Sequence, residues 1–289
     1  MAGEEEARRV DAPLALGYRR AALLLEYDGG GYRGLQWQRE ERNTVQERVE
    51  EACAKLGVPE AGFVAAGRTD TGVHAVGQVV AVNLPAKFEE RRIGLALNSL
   101  LPMDIRVRKA AFCAPDFSPR HDAVMRTYIY RLCAGVPVTP VLRNYVAQKH
   151  CRLDPVLTQA AAAAFVGQWE LCEWRSSICQ AKRTFLTITE ASATPPAEEG
   201  SEELRPYWQF RFRARSFLHH QVRFMVGGVV AVGRGRLSLE ELIAALRAGK
   251  RPGIVQVEPA CGLTFTRVEF AEGKNPFQQH NQSGEAQVV

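Results

Sequence analysis

The sequence contains no long apolar segment. No stretch of about 18 uncharged apolar residues occurs in its 289 residues, so it predicts no transmembrane helix and no membrane partner. The first 17 residues include three consecutive glutamates and no apolar core, which argues against a secretory signal and against an organellar transit peptide. We therefore expect a cytoplasmic protein, with the nucleus and the organelles left open.

Paired cysteine motifs are also missing. The seven cysteines are scattered, their number is odd, and no two of them form a C-x-x-C pair. This usage is typical of a reducing compartment and argues against a disulfide framework or a cysteine zinc site. Phosphate-loop, dinucleotide-binding and metal-ligand spacings are absent too.

Acidic residues are scarce in one part of the chain. The whole protein carries a formal net charge of +5, but residues 205–251 contain ten lysines and arginines against two glutamates, a local net charge of +8. Such a concentration is typical of a surface that binds a polyanion. A solvated charged face is the alternative, and composition alone favours it.

Alternating hydrophobic patterns predict an α+β fold. The first half reads as β-α-β-β-α-β, with strands at 21–27, 62–66, 77–84 and 105–112 and helices at 44–56 and 90–101. The second half repeats this order with one extra helix: strands at 127–134, 185–193, 207–214 and 263–270, and helices at 155–166, 217–232 and 238–248. Both halves follow the ferredoxin-like βαββαβ pattern. We expect their mostly antiparallel sheets to join into one long sheet, with helices on one face and a cleft for an extended ligand on the other.

The same pattern sets the predicted domain limits. Residues 1–19 are predicted to be a flexible N-terminus, 20–115 an N-terminal α+β domain, and 116–272 a C-terminal α+β domain with the basic surface. The glutamine-rich segment 273–289 is predicted to be a disordered tail. The loop at 194–206, rich in proline and glutamate, is predicted to be mobile and not needed for activity.

The densest polar motif is the segment AAGRTDTGVHA at residues 65–75, between two predicted strands. It contains Arg68, Thr69, Asp70 and His74, whereas a tight turn needs only a glycine and one acid. A turn in which Arg68 pairs with Asp70 is the structural alternative. Asp-Thr-Gly is also typical of aspartic proteases, but that chemistry needs two carboxylates that share a proton. The chain has one such motif, and a neighbouring arginine would keep its carboxylate ionised, so we reject this reading.

Arg223 stands in the middle of the apolar helix predicted at 217–232. It needs an acidic partner nearby, because an unpaired buried guanidinium is strongly destabilising. His219 and His220 lie at the start of the same helix, and the sequence shows no third ligand that would make them a metal site.

A third motif surrounds the start of the strand at 127–134. Arg120 and Arg126 flank this start, and Tyr128 and Tyr130 share one face of the strand. An aromatic residue on a sheet face usually belongs to the core. Beside a basic cleft it could instead stack on a nucleobase.

Together these motifs resemble the TruA family of tRNA pseudouridine synthases. The matching segments are EYDG at 26–29, YRG at 32–34, TVQE at 44–47, GRTDTGVHA at 67–75, NSLLPMDI at 98–105, RTYIY at 126–130, FLHHQVRFMVG at 217–227 and ACGL at 260–263. They occur in the order of the family and run from about residue 20 to residue 270.

The resemblance implies an isomerase that converts specific uridines of tRNA, in the anticodon stem-loop, to pseudouridine without a metal or cofactor. It implies that Asp70 is the catalytic carboxylate, that Tyr128 stacks on the uracil, and that Arg223 pairs with Asp70. Whether Asp70 attacks C1′ or helps to remove a C2′ proton to give a glycal is left open.

The resemblance also implies an RNA-binding cleft and a homodimer as the functional form. Arg68 is expected to help turn the target nucleotide out of the stack. The further residues assigned to RNA binding are Thr69, His74, Arg120, Arg126, Arg215, His219 and His220. A non-catalytic RNA-binding protein with the same fold is the alternative. Replacement of Asp70, Tyr128 or Arg223 would favour it, and none of the three is replaced.

Overall fold

The computed structural model describes residues 17–37, 42–197 and 206–278. Residues 198–205 of the predicted acidic loop and residues 279–289 of the predicted tail lie outside these ranges. The described residues form two units. The first comprises those within 1–69, 75–124 and 267–289, and the second comprises 70–74 and those within 125–266.

The first unit contains an antiparallel sheet and three helices. Its strands are β1 (Tyr18–Tyr27), β2 (Val64–Ala65), β3 (His74–Pro85) and β4 (Ile105–Phe112), and its helices are α1 (Val45–Lys55), α2 (Glu90–Asn98) and α3 (Pro119–Asp122). Strand β1 pairs with β3 on one side and with β4 on the other, and β2 adds to β3. The apolar run of β1 is continuous rather than alternating because this central strand has buried residues on both faces.

Residues near both ends of the described chain contact this unit, including some in the segments predicted to be flexible or disordered. Phe117 belongs to a buried cluster on β1, β2 and β3, and its ring centre lies 5.4 Å from that of Phe270. Phe277, which falls in the predicted tail, packs against the same cluster. Similarly, β1 begins at Tyr18, within the predicted flexible N-terminus, and the Arg19 guanidinium lies 4.1 Å from the ring centre of Phe112. Residues at both ends of the described chain are therefore held by aromatic contacts within this unit.

The second unit contains a mostly antiparallel sheet and three helices. Its strands are β5 (Ala123–Ala134), β6 (Ala147–Lys149), β7 (Gly167–Glu170), β8 (Phe185–Thr194), β9 (Trp208–Ala214) and β10 (Leu263–Phe270), and its helices are α4 (Pro155–Ala163), α5 (Gln221–Gly233) and α6 (Leu239–Ala248). Strands β5, β9, β8 and β7 pair in that order, each antiparallel to the next, and β6 is parallel to β5. Strand β10 crosses the boundary between the units at Thr266.

These elements confirm the predicted combination of helices with mostly antiparallel strands. The short elements α3, β6 and β7 are additional to the prediction. Neither unit is continuous along the chain, and the predicted domain limit at 115/116 stays a prediction. Residues 116–124 and 267–272 group with the first unit, and residues 70–74 group with the second. Sequence patterns locate single elements well, but this grouping depends on contacts between residues far apart in the chain.

Helix α5 is almost entirely buried, and two of its glycines allow close neighbours. A Cβ atom on Gly227 would lie 2.0 Å from the carbonyl oxygen of Gln256, and one on Gly228 would lie 3.0 Å from the ring of Trp174. The segment after α6 therefore rests directly on the backbone of α5. Within the described ranges, neither α5 nor another helix has the length and apolarity needed to cross a membrane.

Candidate active site

Asp70 lies in the loop between β2 and β3, and this loop is fixed by backbone and side-chain contacts. On one side, the Oγ1 atom of buried Thr69 lies 2.7 Å from the hydroxyl of Tyr27, and the carbonyl of Thr69 accepts a hydrogen bond from the amide of Leu35. On the other side, the carbonyl of Asp70 accepts from the amide of Val73 at 3.1 Å. Gly72 inside this turn has φ +78°, a conformation that strains residues with a side chain. The loop therefore presents Asp70 in a fixed direction.

The carboxylate of Asp70 faces three side chains at the start of α5. Its Oδ1 lies 3.2 Å from Nε2 of His219, and its Oδ2 lies 3.6 Å from Nε2 of His220 and 3.5 Å from Nη1 of Arg223. The side chains of Asp70 and Arg223 are only 17% and 12% exposed. Asp70 is thus the acidic partner that burial of Arg223 requires.

The backbone conformation of His220 allows both imidazoles to lie close to Asp70. It has φ +63°, a left-handed conformation that residues other than glycine seldom adopt. The turn is held by two hydrogen bonds: the amide of Leu218 donates to the buried Oε1 of Gln221 at 2.7 Å, and the amide of Ser176 donates to the carbonyl of His219. Helix α5 consequently begins at Gln221 and not at the predicted Phe217. An apolar run does not reveal one left-handed residue, so the sequence pattern placed this start too early.

The surroundings of Asp70 favour its ionised form. Burial alone raises the pKa of Asp70, but the hydrogen bond from His219 and the positive charges of His220, His219 and Arg223 outweigh it and lower the pKa below its ordinary value of 3.8. The pKa of His220 is lowered, chiefly by burial and against the attraction of Asp70. Arginine is a permanent cation in proteins, so the nearby guanidinium of Arg223 is the constant positive partner of Asp70.

Tyr128 lies on β5, opposite Phe212 of β9, and is 8% exposed. Its ring makes edge contacts with Phe217 and Phe265, with ring centres 5.2 and 4.8 Å apart. Phe217 belongs to the segment that carries both histidines, so Tyr128 packs beside that segment. Tyr130, two residues further on, is fully buried and donates its hydroxyl hydrogen to the carbonyl of Pro259.

Three residues assigned to RNA binding are buried. Thr69 contacts Tyr27 as described, and His74 is 3% exposed with its ring centre 5.0 Å from that of Tyr145. Arg126 is 8% exposed, and its Nη1 donates to the backbone carbonyl of Arg215. These contacts lie within the protein, and the contacts of the three residues with RNA stay a prediction. The remaining basic residues of that assignment are exposed: Arg68, Arg120 and Arg215.

Asp70, His219 and His220 also form a possible metal-ligand set. One ligand atom of each lies within 4.8 Å of the others, and no other group of this kind occurs among residues 17–37, 42–197 and 206–278. The sequence showed no third ligand for the two histidines because Asp70 is distant in the chain. The charge of Arg223, which lies against the same carboxylate, opposes the binding of a cation.

Comparison with known proteins identifies the family. Residues 161–271 match a family described as tRNA pseudouridine synthase. The tRNA pseudouridine synthase A of Rhodospirillum rubrum is 37% identical over 253 residues, which cover 87% of this chain and 87% of the relative. The enzyme of that name from Methylorubrum extorquens is 34% identical over 253 residues, which cover 87% of this chain and 99% of the relative. This chain belongs to the tRNA pseudouridine synthase A family.

Further relatives agree with this assignment. The tRNA pseudouridine synthase A of Limosilactobacillus fermentum is 34% identical over 259 residues, with coverage of 89% of this chain and 98% of the relative. In the crystal structure of a Cbf5-Nop10-Gar1 complex, one chain aligns with 86% of this chain, and the alignment covers 48% of that other chain. Its TM-score of 0.38 and sequence identity of 11% are too low to support a conclusion. Membership of the tRNA pseudouridine synthase A family confirms the predicted family and the predicted class of isomerase.

Three residues around the Asp70 site were not predicted from the sequence. Gln221 caps the turn before α5, and Glu258 and Lys149 form an ion pair next to Arg223. Glutamine inside an apolar helix pattern is ordinary, and Glu258 is an isolated acid in an irregular segment. Neither position carries a local signal, since its importance depends on contacts that form only in the folded chain.

Proposed function

We propose that this protein isomerises uridine to pseudouridine in tRNA and that Asp70 is its catalytic carboxylate. The observation that supports this role is the Asp70–Arg223 ion pair in the GRTDTGVHA loop of a chain that belongs to the tRNA pseudouridine synthase A family. A buried acid held ionised by a fixed cation is typical of a functional site.

The reaction needs one carboxylate and no external reactant. The bond between C1′ and N1 of uridine breaks, the uracil turns, and C5 bonds to C1′, while C5 loses a proton and N1 gains one. Both possible roles of Asp70, attack on C1′ or removal of a C2′ proton, require the carboxylate to be ionised at the start. The hydrogen bond from His219 and the charges of His220, His219 and Arg223 keep Asp70 ionised, and the ion pair with Arg223 orients its carboxylate.

Tyr128 is proposed to contact the uracil. Its position beside Phe217, in the segment that carries both histidines, fits a ring that supports a base in the site. The hydroxyl of Tyr130, by contrast, is bonded to the backbone of Pro259, so the substrate role falls to Tyr128.

The exposed basic residues are proposed to bind the phosphates of tRNA. Arg68, Arg120 and Arg215 remain candidates from the sequence, and Arg234 and Arg236 are exposed in the connection between α5 and α6. We also propose the finer predicted features: a homodimer, a target in the anticodon stem-loop, and two ferredoxin-like halves that form one long sheet with an RNA-binding cleft. The β-α-β-β-α-β order of the first four strands supports the first of these halves.

The experiment is to incubate the purified protein with an unmodified tRNA transcript and to measure pseudouridine by mass spectrometry of the digested RNA. We expect the wild type to form pseudouridine and Asp70→Asn to form none while it binds tRNA with similar affinity, because the amide keeps the shape of the loop and removes the charge. Glu51→Gln, on the exposed face of α1, serves as the matched control and should act as the wild type does. Turnover by Asp70→Asn above a tenth of the wild-type rate would exclude Asp70 as the catalytic group, and tRNA binding without product in the wild type would favour the non-catalytic alternative.

A further inference from the structure

Glu258 is a buried acid that the proposed reaction does not use. It is 2% exposed, and its Oε2 lies 3.1 Å from Nζ of Lys149, the last residue of β6. Burial raises the pKa of Glu258, and the positive charges of Lys149, Arg234 and Arg223 act against this rise. A buried carboxylate without a partner is strongly destabilising, so the ion pair with Lys149 fixes Glu258 in place.

The short segment that begins with Glu258 contacts several parts of the site. The carbonyl of Glu258 accepts a hydrogen bond from Nε of Arg223 at 2.6 Å, and its amide donates to the carbonyl of Arg223 at 3.3 Å. The carbonyl of Pro259 accepts the hydroxyl hydrogen of Tyr130 at 2.9 Å. The Cβ atom of Ala260 lies 3.4 Å from the place that a Cβ on Gly72 would occupy, so this residue packs on the loop of the catalytic acid.

These contacts determine the direction of the Arg223 side chain. The guanidinium is planar and rigid, so a hydrogen bond that fixes Nε also fixes where both Nη atoms point. With Nε bound to the carbonyl of Glu258, Nη1 lies 3.5 Å from Oδ2 of Asp70. A displacement of the Glu258 backbone would therefore turn the guanidinium away from the carboxylate.

We propose that Glu258, through its ion pair with Lys149, is a positioning residue that holds the guanidinium of Arg223 against Asp70. Lys149 is the other member of this ion pair and has the same role. The effect on catalysis rests on the proposed function of Asp70, whereas the effect on the geometry of Arg223 does not.

The test measures kcat and KM for a tRNA transcript in four variants: Glu258→Gln, Lys149→Met, the double variant of both, and Lys149→Arg. Small displacements of a catalytic group lower turnover, so we expect each of the first two to lower kcat roughly tenfold while KM stays within about twofold. Glu258→Gln and Lys149→Met break the same ion pair. The double variant should therefore lower kcat by roughly the same tenfold and not by the product of the two effects. Lys149→Arg keeps the charge and should retain kcat. Arg48→Met and Glu51→Gln break an exposed ion pair of α1 and should leave both constants unchanged.

A second background separates positioning from general support of the fold. Lysine has no Nε–H group with which to bond the carbonyl of Glu258, so in an Arg223→Lys protein the Glu258→Gln change should lower kcat little further. The double variant Lys149→Met with Glu258→Gln leaves no unpaired buried charge, so it should fold even if a single variant does not, and thermal unfolding checks this.

A crystal structure of the double variant supplies a readout that is independent of activity. We expect the shortest distance between the Arg223 guanidinium and the Asp70 carboxylate to exceed about 4 Å, the limit of a close ion pair. An unchanged distance of 3.5 Å, or a kcat within about twofold of the wild type in both single variants, would overturn the positioning role. If the wild type itself formed no pseudouridine, the proposed function would fail, and the structure of the double variant would still decide whether Glu258 positions Arg223.

Discussion

The Asp70–Arg223 pair combines a functional and a structural requirement. Arg223 lies in an otherwise apolar helix and needs a negative partner, and Asp70 needs a positive partner if it is to stay ionised while only 17% exposed. The two residues are ion-pair partners, so a change at Asp70 removes the carboxylate next to Arg223, and a change at Arg223 leaves Asp70 with only the two imidazoles. Removal of one partner from such a buried pair costs about 3–5 kcal/mol.

Replacement of Arg223 tests this mutual dependence. We expect Arg223→Met to lower the free energy of unfolding by about 3 kcal/mol and to abolish activity, because Asp70 loses its constant positive partner. The double variant with Asp70→Asn should regain part of the stability but no activity. Urea unfolding and the pseudouridine assay measure the two effects. A double variant no more stable than Arg223→Met alone would contradict the pairing.

The same pair predicts a dependence on pH. The pKa of Asp70 is lowered in the folded protein, so its contribution to stability is complete above its ordinary value of 3.8 and is lost as pH falls through the lower folded value. In Arg223→Met one of the charges that lower the pKa is removed, so this contribution should be smaller and its loss should be complete at a higher pH. Unfolding by urea at a series of acidic pH values follows this shift, with Arg48→Met as the control. Identical acid profiles for the wild type and Arg223→Met would show that Arg223 does not set the pKa of Asp70.

The close packing of helix α5 depends on its glycines as well as on its apolar side chains. A Cβ on Gly227 would come within 2.0 Å of a backbone carbonyl, which cannot move aside as a flexible side chain can. We expect Gly227→Ala to destabilise the protein by at least about 1–3 kcal/mol and to lower kcat, since the segment pushed away leads to the Glu258 carbonyl. Gly253→Ala, with no atom within 4 Å of the added carbon, should leave both quantities unchanged. Thermal unfolding and the pseudouridine assay check this pair, and equal stability of the two variants would be evidence against the close contact.

The loop predicted at 194–206 supplies a contrasting case. It is acidic and should repel phosphates, so its replacement by a short Gly-Asn turn is expected to leave kcat and KM within a few-fold of the wild type. Steady-state kinetics on the same tRNA transcript provide the measurement. Complete loss of activity would show that this loop takes part in catalysis or binding.

The excess of positive charge concerns the protein as a whole. Arg234 and Arg236 are exposed and carry no role in the Asp70 site. If they bind phosphates, the double change to glutamine should weaken tRNA binding equally for all tRNA sequences and reduce the slope of log K against log salt by about 1–2. Arg91 and Arg92, exposed on α2 and paired with Glu89, form the matched control pair. Binding measured at several salt concentrations distinguishes the pairs, and an unchanged slope in the Arg234/Arg236 variant would remove this segment from the RNA-binding surface.

Much of the fold was accessible from the sequence, because strands and helices leave local periodic signals. Strands β4 and β10 lie at the predicted residues, and most other elements agree to within a few residues. The errors have local physical causes. A left-handed residue at His220 delays the start of α5, and Phe277 packs against an apolar cluster whose buried members lie far away in the chain.

Some features of the candidate site were likewise visible in the sequence, and others appear only in the folded structure. The GRTDTGVHA motif and the charge of Arg223 in an apolar helix are local features of the sequence. The sequence alone therefore pointed to Asp70, to the need of Arg223 for an oppositely charged partner, and to the family. Only the folded chain shows that His74 and Arg126 are buried and that both imidazoles lie next to Asp70. The same is true of the hydrogen bond that the Glu258 carbonyl accepts from Arg223. The physical reason is that burial and hydrogen bonding depend on which distant segments meet, and periodicity along the chain carries no information about those meetings.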